Sequence, residues 1–276
     1  MTKIAARRRA KIKLIVFLIL AGVLVLFGIL APLLTPNDPD ATSSANMNKA
    51  PGPQYPFGTD RYGRCICSRV MMGARTSIFS AVTLVAVTFV VGTMLGMLAG
   101  YYGGAADTVV MRLADVLLAF PQMVLAIAVA GILGGGMFNA MLALGITGWT
   151  GYARLARAKV LSLKEEAYVN AARLSGCSDA SIMFRTLLPN ILGPLVVNAS
   201  TQIGSMMIGI AGLSFLGIGV MEPQAEWGSM ISGMRAYIQL APWAVLAPAF
   251  ATILTVMVFN YLGDCVRDVL DVEVVK

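Results

Sequence analysis

Five stretches of this sequence run for more than 20 residues without a single Asp, Glu, Lys or Arg: 14–37, 76–106, 116–153, 186–221 and 241–263. A bilayer-crossing helix needs about 20 apolar residues. Runs of that length leave little choice but to span a membrane. Composition agrees: of 276 residues, 58% are hydrophobic and 13% charged, and the mean hydropathy is +0.78. A soluble chain carries roughly 25% charged residues, so this one has too few to cover a soluble surface. The balance argues against a soluble enzyme, a disordered chain and a nucleic-acid binder.

The spans follow from the runs. Residues 14–34 form a first helix behind a basic tail holding Lys3, Arg7, Arg8, Arg9, Lys11 and Lys13. A signal peptide also begins basic and then apolar, but its apolar core is usually about 7–15 residues. This run is longer, so an uncleaved helix is expected. Residues 35–75 are rich in Pro, Gly, Asn and Asp and read as an extramembrane loop whose end, 68–77, is basic and amphipathic. A second helix begins at 76. Residues 116–153 suffice for two short spans broken at Gly134-Gly-Gly-Met-Phe-Asn139, placed near 110–132 and 138–156. Pro121 is expected to kink the first of these, and Arg112 and Asp115 to pair on one face. A fifth helix covers about 189–212, followed by a Gly-broken segment at 213–219, a polar loop at 222–239 and a last span at 241–263. The expectation is an all-α integral membrane protein with six transmembrane helices.

Gly92, Gly96 and Gly100 fall four apart on one stripe of the second helix. Such a stripe lets two helix backbones approach closely.

Charge placement gives an orientation. Of 21 Lys and Arg, 15 fall on the side holding both termini and the 154–185 loop. The positive-inside rule puts that side in the cytoplasm. The protein is therefore expected in the cell (inner or cytoplasmic) membrane, multi-pass, with 1–13 and 265–276 as cytoplasmic tails. Arg61, Arg64, Arg69 and Arg75 run against the rule. They sit in a long outer loop, where structural or partner contacts are expected of them.

Catalytic machinery is absent from the pattern. There is no His, hence neither the commonest general base nor the commonest metal ligand. Cys65 and Cys67 form a C-x-C without a second pair, and Cys177 and Cys265 stand apart. No phosphate loop occurs. The reading is no catalytic residues, no metal site and no cofactor bound by this chain. Uphill movement of a solute would have to draw energy from another subunit or from an ion gradient. Ion-coupled carriers bury ionisable residues at mid-membrane, and these spans hold almost none.

The largest loop on the cytoplasmic side, Lys164 to Pro189, carries the strongest functional signal. A short helix holding Val169, Ala172 and Leu174 stops at Gly176, a residue suited to a helix C-terminus. Ser178 can cap a second helix holding Ile182, Met183 and Phe184, and Pro189 suits the first turn of the next span. Two short projecting helices fit a groove on another protein; an ordinary interfacial helix pair is the competing reading.

Asn170, Ala171, Ala172, Gly176, Leu188 and Pro189 resemble the "EAA" loop of ABC importer permeases, whose pattern is E-A-A-x3-G-x9-I-x-L-P. Asn170 stands for Glu and Thr186 for Ile. Further segments are similar to the second ("C") permease of the dipeptide/oligopeptide/nickel group: Phe57-Gly-Thr-Asp-Arg-Tyr-Gly-Arg64, with Cys65 where Asp is usual; Ser68-Arg69; Gly73-Ala-Arg-Thr-Ser77; Gly212-Leu-Ser-Phe-Leu-Gly-Ile-Gly219; Glu226-Trp-Gly228; and Gly263 to Asp271, with Val272 in place of Pro. The resemblance covers about 14–271. It implies a type I ABC importer permease fold with a cytoplasmic coupling helix within the 154–188 loop and a permease core over 76–264. Its implied partners are a homologous "B" permease, two ABC ATPase subunits that bind ATP and Mg, and an extracytoplasmic substrate-binding protein. The implied cargo is nickel, a metal chelate, or di- and oligopeptides; the short N-terminal tail and overall length lean towards the nickel members. A stand-alone ion-coupled carrier or channel is the alternative.

Asn198 and Gln202, four apart on the fifth helix, and Ser205 about a turn further on, are candidates for the lining of the path. Intramembrane polar residues usually face a cavity or the bundle interior, and interhelical hydrogen bonding is the competing role. The 17 Met are read as apolar span residues rather than metal ligands.

Overall fold

The structure, a computed structural model, describes residues 3–274. The outermost residues of the two expected tails, 1–2 and 275–276, lie outside that range. Among the described residues every regular element is helical, apart from one isolated bridge between Thr59 and Cys65. The helices are α1 (Lys3–Leu34), α2 (Ile66–Tyr102), α3 (Gly104–Leu118), α4 (Gln122–Leu133), α5 (Met137–Leu163), α6 (Ala167–Leu174), α7 (Asp179–Phe215), α8 (Trp227–Met234) and α9 (Trp243–Val274).

Four helices are long and apolar enough to cross a membrane: Arg8–Leu34, α2, α7 and Trp243–Leu270. The bent pair α3–α4 makes a fifth if it is one broken span. The expected six spans therefore become four or five by length and composition. The helix that drops out is α5. Its second half turns from aliphatic residues to Thr147, Gly148, Thr150, Gly151 and Tyr152 and then to Arg154 and Arg157. Thr147, Gly148, Thr150 and Tyr152 are buried against the protein; a helix wrapped by neighbours need not be apolar all round.

Helix α2 is the hub, packing on α1, α3, α5 and α7, with α9 closing the bundle against α1 and α7. Its closest partner is α5. A Cβ at Gly92 would fall on the Trp149 backbone, one at Gly96 on the Ala153 backbone, and one at Gly100 3.0 Å from Arg157 O. Equal steps of four along both helices mean that α2 and α5 run parallel and touch backbone to backbone.

Several boundaries differ from the sequence reading. Helix α1 starts at Lys3 rather than 14, because Lys, Arg and Ala are good helix formers whether or not they enter the membrane. Helix α2 starts at Ile66 rather than 76, with Ile66, Cys67, Ser68 and Arg69 buried. The expected kinked helix 110–132 is two helices bent by 90° across 119–121. Pro121 sits at ψ 127°, has no N–H to give, and disfavours helical backbone in the residue before it. The expected polar loop 222–239 contains α8. Its first amides are capped by Glu226, whose Oε1 accepts from Gly228 N (2.9 Å) and Oε2 from Ser229 N (2.8 Å). Glu is not among the usual capping residues, which hid this helix from sequence.

The loop 35–65 and the segment 222–226 fold into one cap over an end of the bundle. Asp60 accepts from Tyr62 N (2.8 Å), Arg64 N (2.9 Å) and Arg64 Nε (2.6 Å). Arg64 also donates to Glu222 (3.4 Å). Arg69 donates to Pro39 O (3.1 Å), Asp40 (3.0 Å) and Pro223 O (3.1 Å). Trp227 Nε1 donates to Val70 O (2.9 Å) and its ring fills the space that a Cβ on Gly73 would need. The quoted segments 57–64, 68–69, 73–77 and 226–228, scattered in sequence, thus form one ion-pair and hydrogen-bond network. Of the four unexpected arginines, Arg61, Arg64 and Arg69 belong to it, while Arg75 is exposed.

Candidate functional site

At the opposite end of the bundle, residues 164–188 build a projecting helix-turn-helix. Helix α6 turns Val169 fully inward and leaves Tyr168 and Leu174 exposed, Leu174 to 90%. The inward face joins Tyr152, Val160, Ile182, Leu187 and Ile191, with Ala172 and Leu188 partly buried against them. Helix α6 ends in a Schellman turn: Cys177 N donates to Ala172 O (3.1 Å) and Gly176 N to Arg173 O (3.1 Å). Gly176 has φ +78°, the left-handed geometry that glycine adopts without strain. Ser178 Oγ then accepts from Ser181 N (3.3 Å), capping α7.

Asn170 donates through Nδ2 to Glu165 O (3.0 Å) and accepts from Arg173 Nη1 (3.2 Å). Its amide thereby braces the entry of α6, while Ala171 is exposed beside it. Pro189 stands in the first turn of the α-helical stretch Leu188–Phe215, as expected, although that stretch is continuous with the turns before it. Helix α7 runs unbroken from Asp179 to Phe215, with 182–187 wound as a π-turn immediately before Leu188 and Pro189. A widened turn accommodates a ring that has no N–H and would crowd the carbonyl four residues back. The second arm of the turn and the long helix are therefore one continuous helix.

Three contacts tie this end to neighbouring helices. Tyr101 OH, at the end of α2, donates to Asp179 Oδ1 (2.7 Å). Arg157 of α5 is paired with Asp107 of α3 through both Nε and Nη2. Arg154 donates to Asp115 Oδ1 (2.7 Å). The last contact replaces the expected pairing of Asp115 with Arg112. Helix α3 lies antiparallel on α5, and this turns Asp115 across to Arg154.

The path candidates separate. Gln202 lines a recess of about 140 Å3 together with Leu117, Leu118, Phe120, Gln122, Thr147, Gly148, Thr150 and Gly151; Asn198 and Ser205 are not part of its wall. Gln122 was not singled out by sequence, because it sits alone beside the Pro121 break and enters the recess only through the 90° bend. Among the described residues no cluster of three His, Cys, Asp or Glu is placed to hold a metal ion.

Comparison with known proteins agrees with this geometry. The family profile described as "Binding-protein-dependent transport system inner membrane component" matches residues 92–276. The "Dipeptide transport system permease protein DppC" of Alkalihalophilus pseudofirmus is 42% identical over 93% of this chain and 84% of its own length. The "Glutathione transport system permease protein GsiD" of Pectobacterium atrosepticum is 44% identical over 82% of this chain and 75% of its own. Among solved structures, an inward-facing conformation of the MetNI methionine ABC transporter is similar in fold, with TM-score 0.57 and 18% identity, covering 74% of this chain and 96% of that one. The chain belongs to the binding-protein-dependent transport system inner membrane components, as a non-catalytic, C-type permease subunit in the dipeptide/oligopeptide group of ABC importers.

Proposed function

We propose that this chain forms half of the translocation path for short peptides, pairs with a homologous permease, and receives one of two ABC ATPase subunits on the 164–188 turn. An extracytoplasmic binding protein delivers the cargo at the capped end. Both termini and the turn lie in the cytoplasm, where ATP and Mg act on the partner subunits. The observation that carries this reading is the mechanical one. A Schellman-closed turn presents exposed Tyr168 and Leu174 and is continuous with a 37-residue helix through the bundle. Motion of an ATPase against the turn would tilt α7 as a unit, shifting the path between two states. Asn170, Ala171, Ala172, Gly176, Leu188 and Pro189 shape that turn and its junction with α7. Relatives named for dipeptide and glutathione transport support a peptide cargo over nickel.

The test is reconstitution of the complete complex in vesicles with the binding protein. Labelled dipeptide should enter only with ATP inside the compartment holding the turn. Ala172→Arg should leave ATP hydrolysis running while uptake is lost. Nickel uptake without peptide uptake would overturn the cargo assignment. Gradient-driven uptake by this chain alone would overturn the importer mechanism in favour of an ion-coupled carrier.

A further inference from the structure

The recess at the α3–α4 bend gathers polar side chains from three helices. Its wall carries four polar side chains, Gln122, Thr147, Thr150 and Gln202, and no charged one. Thr147 and Thr150 donate their hydroxyl protons within α5, to Leu144 O (3.2 Å) and Thr147 O (2.7 Å). Their oxygens still have lone pairs to accept with. Gln122 and Gln202 make no side-chain hydrogen bond among the described residues. Gly151 has open space where a side chain would stand. Leu117, Leu118 and Phe120 supply an apolar flank.

Depth matters to what such a wall can face. Gln202 lies roughly 20 Å along α7 from its end at Phe215, at 1.5 Å per residue. Gln122 lies roughly 17 Å along α4 from its end at Leu133. Gln202 also falls near the middle of the charge-free run 186–221, long enough to fill a hydrocarbon core about 30 Å thick, and Gln122 shares its recess. Acyl chains offer no hydrogen bonds, and an unpartnered amide facing them is strongly disfavoured. The recess must therefore face a polar occupant.

We propose that this recess contacts the peptide bonds of the cargo in transit, with Gln122 and Gln202 as the recognising groups and the Thr147 and Thr150 oxygens as acceptors. The inference rests on the peptide-importer reading above and gives it a site. A glutamine amide offers the same donor and acceptor pair as a peptide bond, so it matches backbone whatever the side chains. The absence of charge suits a passing cargo, since neutral hydrogen bonds are the weaker kind and do not trap. It also fits poorly with a bare divalent cation, which takes charged or imidazole ligands.

The experiment uses the reconstituted complex with its binding protein. The double variant Gln122→Leu with Gln202→Leu should keep the wild-type melting temperature, because neither amide has a protein partner to lose. Its peptide uptake at low substrate should fall roughly tenfold, the loss of two neutral hydrogen bonds, and Gln202→Asn should recover part of a single-variant defect. As a second readout, Phe120→p-benzoylphenylalanine should photocrosslink to labelled dipeptide during turnover. Wild-type peptide uptake with an undiminished double variant would overturn this inference alone. So would crosslinking of position 120 only to the partner permease. A wild-type complex that imports no peptide would overturn the parent reading as well, and the two failures are thereby distinguishable.

Discussion

Both ends of this molecule are rich in arginine, and they use it in opposite ways. At the capped end, Arg64 and Arg69 are 5% and 2% exposed, and Asp60, Asp40, two backbone carbonyls and Glu222 share their protons. Three chain segments, 39–40, 60 and 222–223, converge on two guanidinium groups. At the turn end, Arg154 and Asp115 pair with about half of each side chain in solvent, at 49% and 55%. These pairs hold α3, which is bounded by Gly103 and Gly104, both at positive φ, and by the 90° break at 119–121. The capped end is thus a frame, and the turn end is a hinged arm held by adjustable contacts. A transporter that converts ATPase motion into pore motion needs both: a fixed end to work against and a loose end to be moved.

The largest effect should come from breaking the frame. Asp60→Ala would leave Arg64 and Arg69 buried with partners missing, a loss of about 3–5 kcal/mol for a buried pair broken on one side. The measurement is the melting temperature and yield of the detergent-purified complex. If both stay at the wild-type level, the cap is not a frame and the comparison collapses. Next in size is the α2–α5 seam. Gly96→Ala drives a methyl into the Ala153 backbone, whereas Gly100→Ala meets its nearest atoms at 3.0 Å. Overpacking costs about 1–3 kcal/mol, so Gly96→Ala should lower the melting temperature clearly more than Gly100→Ala. Equal effects would mean that the two helices separate along their whole length instead of pivoting about a tight contact.

What sequence made legible follows from the range of the forces involved. Gly176 and Ser178 act on their own turn, and their local geometry is what their residue types predict. The Gly92–Gly100 spacing is a property of one helix, though the identity of its partner, α5, is not written in it. Failures came where a distant group decided the outcome. Asp115 has Arg112 one turn away but pairs with Arg154, because α3 is laid across α5. Arg69 enters a helix ten residues earlier than the charge-free run suggests, since Asp40 and two carbonyls from other segments meet its guanidinium. Gln122 and Gln202, 80 residues apart in sequence, come to one recess only after the bend at Pro121. At α5 the span expected near 138–156 is a helix, Met137–Leu163, but it falls outside the four or five helices long and apolar enough to cross, because its polar residues lie against neighbouring helices.

The smallest effect sharpens the comparison most. Arg154→Gln removes an exposed pair worth less than about 1 kcal/mol, so the melting temperature should barely move. Arg157→Gln should cost more, because its guanidinium engages Asp107 through two nitrogens and is less exposed. The informative readout is local rather than global. Exposed pairs are screened by salt and buried ones much less, so amide exchange across Gly104–Leu118 should quicken on raising salt from low to physiological, while exchange across 57–64 should not. In the Arg154→Gln, Arg157→Gln double variant, α3 should already exchange fast at low salt and respond no further. Equal salt sensitivity at both ends would mean that burial does not divide frame from arm, and the mechanical asymmetry would have to be sought in α7 and its turn instead.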